Sequence, residues 1–231
     1  MGGGHIDCYL DCPSPYSYLT LLYLLKHRAL LLSHDVTVEF HPIFLGGVNV
    51  GSGNKPPWTL PAKAAYGKFD LERTKKYHGN ISIEAPSFFP PLTILPQRAL
   101  SYIKATYPPS IFEDTFLLFF QKLWTPPNQV DISKPELLQK VLKDAGWFSE
   151  KEAAEIMAAA KEQKWKDVLS EQTKKVVEMG GFGAPWMWVR NAEGKEEPFF
   201  GSDRFHFMWE YLGLPWKDIE LLPKESTKSK L

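Results

Sequence analysis

The sequence contains little cysteine: Cys8 and Cys12 are the two among its 231 residues. Three residues separate them, so they form neither a C-x-x-C redox pair nor a disulfide framework. We expect both to be reduced and Cys8 to be buried in a strand. None of the six histidines pairs with a cysteine at a zinc-ligand spacing, and we therefore expect no metal site.

An excess of one charge is also missing, because 27 basic residues balance 27 acidic ones. This balance gives no support for nucleic acid or an anionic membrane as a partner. No apolar run approaches the roughly 20 residues that a membrane-spanning helix needs. Residues 1–13 have neither a basic region nor a long apolar region, so we expect no signal peptide.

The segment from Asp11 to Ser17 marks the junction between a strand and a helix. A predicted strand, His5–Leu10, precedes it, and the apolar run that follows predicts a helix from Pro15 to about Ala29. Proline is favoured in the first turn of a helix, where its missing N–H has no partner to lose. Val36–Phe40 alternates strictly and predicts the next strand. The start of the chain therefore has a β-α-β pattern.

The remainder of the chain predicts a helical block and a return to β structure. We interpret the Gly- and Pro-rich stretch 43–57 as a loop, functional or merely connecting, and 61–179 as five or six helices. Capping boxes are predicted at Ser133 and Ser149. The final elements form a hairpin and a helix: Trp186–Arg190, then Glu197–Phe200 with Pro198 at an edge, then a helix with Ser202 as N-cap.

These elements predict an α/β fold with a thioredoxin-like βαβ–ββα core and a large all-helical insertion. We assign residues 1–58 and 180–216 to the thioredoxin-like domain and residues 59–179 to the helical insertion domain. Residues 217–231 form a charged tail without aromatic residues.

Four motifs in this order resemble the kappa-class glutathione transferases, which are related to the DsbA-type disulfide oxidoreductases and to the 2-hydroxychromene-2-carboxylate isomerases. The matching motifs are Ser14-Pro15-Tyr16-Ser17, Ser52-Gly53-Asn54-Lys55-Pro56-Pro57, Phe182-Gly183-Ala184-Pro185 and Phe200-Gly201-Ser202-Asp203-Arg204. Each motif alone is weak evidence. Their order, and the helical block between the second and third, make the resemblance strong.

The resemblance implies that Ser14 replaces the nucleophilic cysteine of the redox relatives and Ser17 the second cysteine. A Ser-x-x-Ser pair cannot cycle through a disulfide. The implied chemistry is binding of glutathione as co-substrate, with Ser14 as the catalytic residue that donates a hydrogen bond to the glutathione sulfur. The simpler alternative for Ser14 is a helix N-cap with no further role.

The resemblance also implies the glutathione-binding residues. Pro185 would be a cis-proline that exposes the backbone of Ala184, although an ordinary trans-proline is the alternative. Ser202 and Asp203 would hold the γ-glutamyl end; Asn54 and Lys63 would reach the glycyl end, unless Lys63 is simply solvated. The full implied set is Ser14, Pro15, Tyr16, Asn54, Lys63, Ala184, Pro185, Ser202 and Asp203, with no metal.

The expected function is transfer of glutathione to small apolar electrophiles, or reduction of hydroperoxides with it. Phe44, Trp58 and Trp186 are candidates for the wall of the second-substrate pocket. One alternative is a glutathione-dependent 2-hydroxychromene-2-carboxylate-type isomerase, and another is a non-catalytic thioredoxin-like binding module. An exposed Cys12 could form a mixed disulfide with glutathione, although we expect a buried, inert thiol.

The sequence given ends in Ser229-Lys230-Leu231, which matches a peroxisomal import signal. We therefore expect the peroxisomal import receptor as a partner and a peroxisomal location. A cytoplasmic or mitochondrial location is the alternative. From the resemblance we also expect a homodimer.

Overall fold

A computed structural model describes residues 3–217. Its strands are β1 (Gly4–Leu10), β2 (Val36–Pro42), β3 (Trp186–Arg190) and β4 (Glu196–Phe200). Its helices are α1 (Pro15–Ser33), α2 (Leu45–Ser52), α3 (Pro61–Tyr77), α4 (Ile94–Thr106), α5 (Pro109–Trp124), α6 (Pro135–Asp144), α7 (Glu150–Ala159), α8 (Gln163–Glu178) and α9 (Phe205–Tyr211), and a 3₁₀ turn spans Pro57–Thr59.

The four strands form one sheet in the order β2-β1-β3-β4. β1 and β2 are parallel, and α1 is the crossover between them, whereas β3 pairs antiparallel with both of its neighbours. The α/β fold class predicted from the sequence is confirmed. Pro198 lies in β4 at the edge of the sheet, where the missing N–H removes no interior ladder bond.

Alternation along β1 assigns its side chains to two hydrophobic clusters. Ile6, Cys8 and Leu10 belong to a large cluster that continues into the helical block, while Tyr9 belongs to a smaller one with Trp186. The large cluster includes fully buried aromatic residues of α5, which stack on one another and on Tyr18 of α1. The sheet and the helical block therefore share one apolar core.

Three local expectations were wrong. Residues 45–52 form α2 rather than a loop, because the glycines permit close packing: a Cβ on Gly47 would lie 2.8 Å from Thr173 Cγ2 of α8. The capping box at Ser133 is absent, since its hydroxyl donates instead to Asp131. Ser202 is not an N-cap, because α9 begins three residues later with Arg204 at that position.

Other local expectations are confirmed. Ser149 and Glu152 form the predicted capping box at the start of α7. Cys8 and Cys12 are both free and fully buried, and burial raises the pKa of each thiol. Cys12 is therefore not exposed for a mixed disulfide. Among residues 3–217, the structure contains no helix with the length and apolar character of a membrane span.

Candidate active site

Ser14 lies where the turn after β1 meets the first turn of α1. It is the N-cap of that helix: its hydroxyl oxygen accepts a hydrogen bond of 3.1 Å from the backbone N–H of Ser17. Its own N–H donates to the Asp11 carbonyl at 3.2 Å. The residue is 5% exposed. The α1 N-terminus, with its unpaired N–H groups and positive dipole end, thus lies beside one nearly buried hydroxyl.

The Ser14 hydroxyl also connects α1 to the segment that enters β3. It donates a hydrogen bond of 3.1 Å to the Ala184 carbonyl, 170 residues away in the chain. The Ala184–Pro185 peptide is cis, as the resemblance implied. Ser14, Ala184 and Pro185 are therefore brought together by the fold.

Two more of the sequence motifs are joined to this segment by hydrogen bonds. The Asn54 side-chain amide donates to the Phe182 carbonyl at 2.6 Å, and Gly201 N–H donates to the Pro185 carbonyl at 3.3 Å. All four motifs that carry the family resemblance therefore meet around residues 182–185. The backbone that leads into β3 is therefore bordered by polar groups from three other parts of the chain.

Tyr16 and Asp70 form the acidic side of the site. Tyr16 donates a 2.7 Å hydrogen bond to the Asp70 carboxylate, which Tyr66 also approaches at 3.3 Å. Burial, followed by the negative charges of Asp70 and Asp203, raises the pKa of Tyr16 well above its usual value, so its phenol stays protonated. Asp70 was not identified from the sequence, because nothing in the α3 pattern distinguishes it from a solvated acid.

The segment Ser202–Asp203 is held by the end of α3. His78 Nε2 lies 3.1 Å from the Ser202 carbonyl, and burial lowers the pKa of His78. Ser202 is buried and Asp203 is exposed. Ser202 does not cap α9, whereas the assignment of Ser202 and Asp203 to the γ-glutamyl end stays a prediction. His78 was also missed, since a lone histidine after a helix carries no signal.

Lys63 and the three candidate residues for the pocket wall differ in their exposure to solvent. Lys63 is exposed on the first turn of α3 and makes no side-chain hydrogen bond or ion pair with residues 3–217. Trp186 is buried in the smaller hydrophobic cluster and offers little surface to a substrate. Phe44 is partly buried at the start of α2. Trp58, by contrast, is 44% exposed.

Asp11 is a fully buried carboxylate beneath the Ser14 turn. Its Oδ2 accepts from Leu45 N–H at 2.7 Å, and its Oδ1 accepts from the Gln97 side chain at 2.5 Å. Burial is the main cause that raises the pKa of Asp11 to about 6; the two hydrogen bonds oppose it. The carboxylate joins the end of β1 to the starts of α2 and α4. The signal in the sequence is an acid at the end of an apolar strand, which by itself does not indicate a buried carboxylate.

Comparison with known proteins gives consistent matches. Residues 5–213 match the family described as the DSBA-like thioredoxin domain. Glutathione S-transferase kappa 1 of Caenorhabditis elegans is 33% identical over 215 residues, which are 91% of each chain. The Homo sapiens protein of the same name is 27% identical over 91% of this chain and 92% of its own. A solved 2-hydroxychromene-2-carboxylate isomerase, 22% identical, superposes with a TM-score of 0.73 over 90% of this chain and 94% of that one, which shows the shared fold.

We predict that Asp11→Asn alters the pH dependence of stability. The folded-state pKa of about 6 lies above the ordinary 3.8, so the folded protein holds this proton more tightly than the unfolded chain does. The resulting stabilisation is complete below about pH 4 and is lost as the pH rises through 6. Relative to Asp11→Asn, the wild type should lose on the order of 3 kcal/mol of unfolding free energy across that window.

Urea unfolding of both proteins at pH 4.5 and pH 7.5 should show about 2 kcal/mol of this change, because the unfolded carboxyl is already mostly ionised at pH 4.5. Asparagine retains an oxygen for Leu45 N–H, and Gln97 can turn its carbonyl toward the new amide, so the variant should fold. A difference between the two proteins that does not change with pH would contradict the assignment.

Proposed function

The chain belongs to the DSBA-like thioredoxin family and, within it, to the kappa class of glutathione S-transferases, and we propose that it binds glutathione and activates its thiol. The observation that carries the proposal is the position of Ser14. A hydroxyl stands at a helix N-terminus, beside a cis-proline segment, where redox relatives use a cysteine. The similarity to glutathione S-transferase kappa 1 supports this proposal, because it extends over 91% of the chain.

The physical basis of activation is stabilisation of the thiolate. A free thiol has a pKa near ~8.5 and is mostly protonated at neutral pH. A helix N-terminus stabilises an anion by ~0.3–1 kcal/mol, or up to ~2 in partly buried geometries. A hydrogen bond to a charged group adds ~1.5–3 kcal/mol. Together these favour the thiolate at pH 7 once the Ser14 hydroxyl turns from the Ala184 carbonyl toward the sulfur.

We propose that the glutathione backbone lies along residues 182–185. It would form main-chain hydrogen bonds with this segment, as an added β-strand does. The Ala184 carbonyl, released by Ser14, becomes available to a peptide N–H. Asp203 and Asp70, whose negative charges both act on Tyr16, favour the α-ammonium of the γ-glutamyl group. Asn54 borders the other end of the same segment. Lys63, exposed and without a partner among residues 3–217, can serve the glycyl carboxylate.

We place the apolar electrophile along a row of aromatic side chains that leads outward from the Ser14 turn. Trp124 donates its indole N–H to the Cys12 carbonyl at 2.8 Å. Phe89 packs on Trp124 with ring centroids 5.5 Å apart, and Trp58 packs on Phe89 at 5.0 Å. The exposed end of the row, Trp58, follows the Asn54 loop closely in sequence. Apolar surface beside a thiolate suits small hydrophobic electrophiles.

In the proposed step the sulfur lone pair attacks an electrophilic carbon and forms a C–S bond. The leaving group departs with its bonding electrons, or an activated alkene gains a proton from solvent. With a hydroperoxide, two glutathione molecules supply two electrons and are joined as a disulfide, while the peroxide yields an alcohol and water. Both reactions would serve detoxification. A serine cannot form the disulfide of a thiol–disulfide enzyme, so the sulfur that reacts belongs to glutathione.

We predict that Ser14→Ala raises the pKa of the bound glutathione thiol by about one to two units, since it removes a charge-assisted hydrogen bond of ~1.5–3 kcal/mol. Titration of thiolate absorbance in the complex measures the pKa, and calorimetry measures binding. The conjugation rate at pH 7 should fall in proportion to the thiolate fraction.

Ser17→Ala is the matched control. The Ser17 hydroxyl is buried without a hydrogen-bond partner among residues 3–217 and lies in the same turn of α1. Its removal should leave the thiol pKa unchanged. Equal effects of both variants, or wild-type protein that does not bind glutathione, would overturn the proposal and favour a non-catalytic binding module.

We also propose a homodimer that covers α3. None of its 17 residues, all within the described 3–217, is buried. Tyr66, Phe69 and Tyr77 are 60%, 65% and 56% exposed. At 100° per residue they lie within an arc of roughly 80° on the helix. An exposed aromatic stripe of this kind is typical of an interface.

We predict a particle of twice the 26.4 kDa chain mass in light scattering. Phe69→Glu should shift the protein toward the monomer, because it places a charge within the stripe. Lys68→Glu, on the opposite side of α3, should not. A monomeric wild type, or a dimer that Phe69→Glu leaves intact, would contradict this assignment of the interface.

Peroxisomal import is a further proposal, supported by Ser229-Lys230-Leu231, which lie outside the described residues. This tripeptide is an address that an import receptor reads, and Leu231 is one of its three residues. We predict that a fluorescent protein fused ahead of the chain is peroxisomal, that Leu231→Ala abolishes this, and that Lys224→Ala does not. A diffuse or mitochondrial wild-type signal would contradict it.

A further inference from the structure

A second polar cluster lies on β1 and β2, toward the end of the sheet away from Ser14. The parallel register pairs Asp7 with Glu39 and His5 with Thr37. Side chains two residues apart share a face, so His5 and Asp7 of β1 lie beside Glu39 and His41 of β2. These residues are scattered in the sequence, and strand pairing assembles them.

The polar atoms in this cluster converge on one point. His5 Nε2 and His41 Nε2 lie 3.2 Å and 2.6 Å from the same oxygen, Asp7 Oδ1. One ligand-type atom each from His5, Asp7 and Glu39 lie within 4.8 Å of one another. Glu39 Oε1 is also 4.0 Å from His41 Nε2.

We propose that His5, Asp7 and Glu39 bind a divalent transition-metal ion such as Zn²⁺. One imidazole and two carboxylates are first-row metal ligands, and three protein ligands leave a fourth position for water. His5 and Asp7 are each 22% exposed in their side chains and Glu39 is 50% exposed, so an ion can enter from solvent.

His41 acts as a positioning residue rather than a ligand. Lys104 Nζ lies 2.9 Å from His41 Nδ1, and an ammonium can only donate. His41 Nδ1 is thus the acceptor, and Nε2 carries the hydrogen that is donated to Asp7. A hydrogen bond of this kind orients a ligating carboxylate. His5 Nδ1 is similarly held by the Thr37 hydroxyl at 2.7 Å, which directs Nε2 into the cluster.

Lys104 is the cation that competes with the metal. Its ammonium lies 2.7 Å from Glu39 Oε1 and also donates to the Phe40 carbonyl at 2.8 Å. A metal ion must share Glu39 with this charge, or displace it. Removal of the Lys104 ammonium, which is not a ligand, should therefore tighten metal binding.

The test is titration of metal-stripped, full-length protein with Zn²⁺ by calorimetry and with Co²⁺ by visible absorption, both without glutathione. We expect one saturable site. His5→Gln and Asp7→Asn should weaken binding on the order of 100-fold or more, and His41→Gln about 10–100-fold. Lys104→Met should tighten it. His34→Gln, a histidine at the end of α1, is the matched control and should change nothing.

The intensity and position of the Co²⁺ bands report a low-coordinate site independently of affinity. Wild-type protein without a saturable site, or binding that His5→Gln leaves unchanged, would overturn the proposal. So would weaker binding in Lys104→Met, because it would show that Lys104 supports the cluster rather than competes for it. Circular dichroism of each variant separates loss of the ligand from loss of the fold, and Ser14 is untouched throughout.

Discussion

The hydrogen bond from the Ser14 hydroxyl to the Ala184 carbonyl is the contact on which the proposed site depends. It joins the first helix to the entry of β3 across 170 residues of sequence. The same oxygen accepts from Ser17 N–H and so also fixes the start of α1. Because the hydroxyl has one proton to donate, a bound thiolate must compete with Ala184 for it. In the proposed mechanism, binding and activation of glutathione are therefore coupled through one side chain.

The proposed site is to stabilise a negative sulfur although acidic residues surround it. Asp11 lies beneath the turn, but its carboxylate points to the starts of α2 and α4, where the N–H of Leu45 meets it. The positive end of the α2 dipole offsets that charge, as the α1 dipole favours the thiolate. Asp70 and Asp203 lie on the Tyr16 side, where the cationic end of glutathione is proposed to bind. The positions of the charges thus matter more than their sum.

Much of the fold could be predicted from the sequence because its signals are local. Alternation in 36–40, proline in the first turn of α1 and the Ser149 capping box each depend on neighbours a few residues away. The helix α2 was missed because Gly47 is used for contact with Thr173, which the local pattern does not reveal. Ser202 resembled an N-cap, but α9 begins later in the chain, and the Ser202 carbonyl instead lies 3.1 Å from His78 Nε2 of a distant segment.

The motifs of the site were predictable, whereas its supporting residues were not. Resemblance identified Ser14, Asn54 and Pro185, and the structure brings them together. Asp11 contacts Leu45, Asp70 contacts Tyr16, and His78 contacts Ser202. The partners in these pairs are 34 to 124 residues apart in the sequence. Patterns within a single sequence do not reveal contacts between such distant positions. The cluster of His5, Asp7 and Glu39 likewise exists only after β1 and β2 pair in register.

A crystal structure of the protein with glutathione tests the central claim most directly. The account predicts the sulfur within hydrogen-bond distance of Ser14 Oγ at the N-terminus of α1, the hydroxyl turned away from Ala184, and the peptide paired with residues 182–185. Glutathione bound elsewhere, or bound here with Ser14 Oγ still on the Ala184 carbonyl and the sulfur out of its reach, would contradict it.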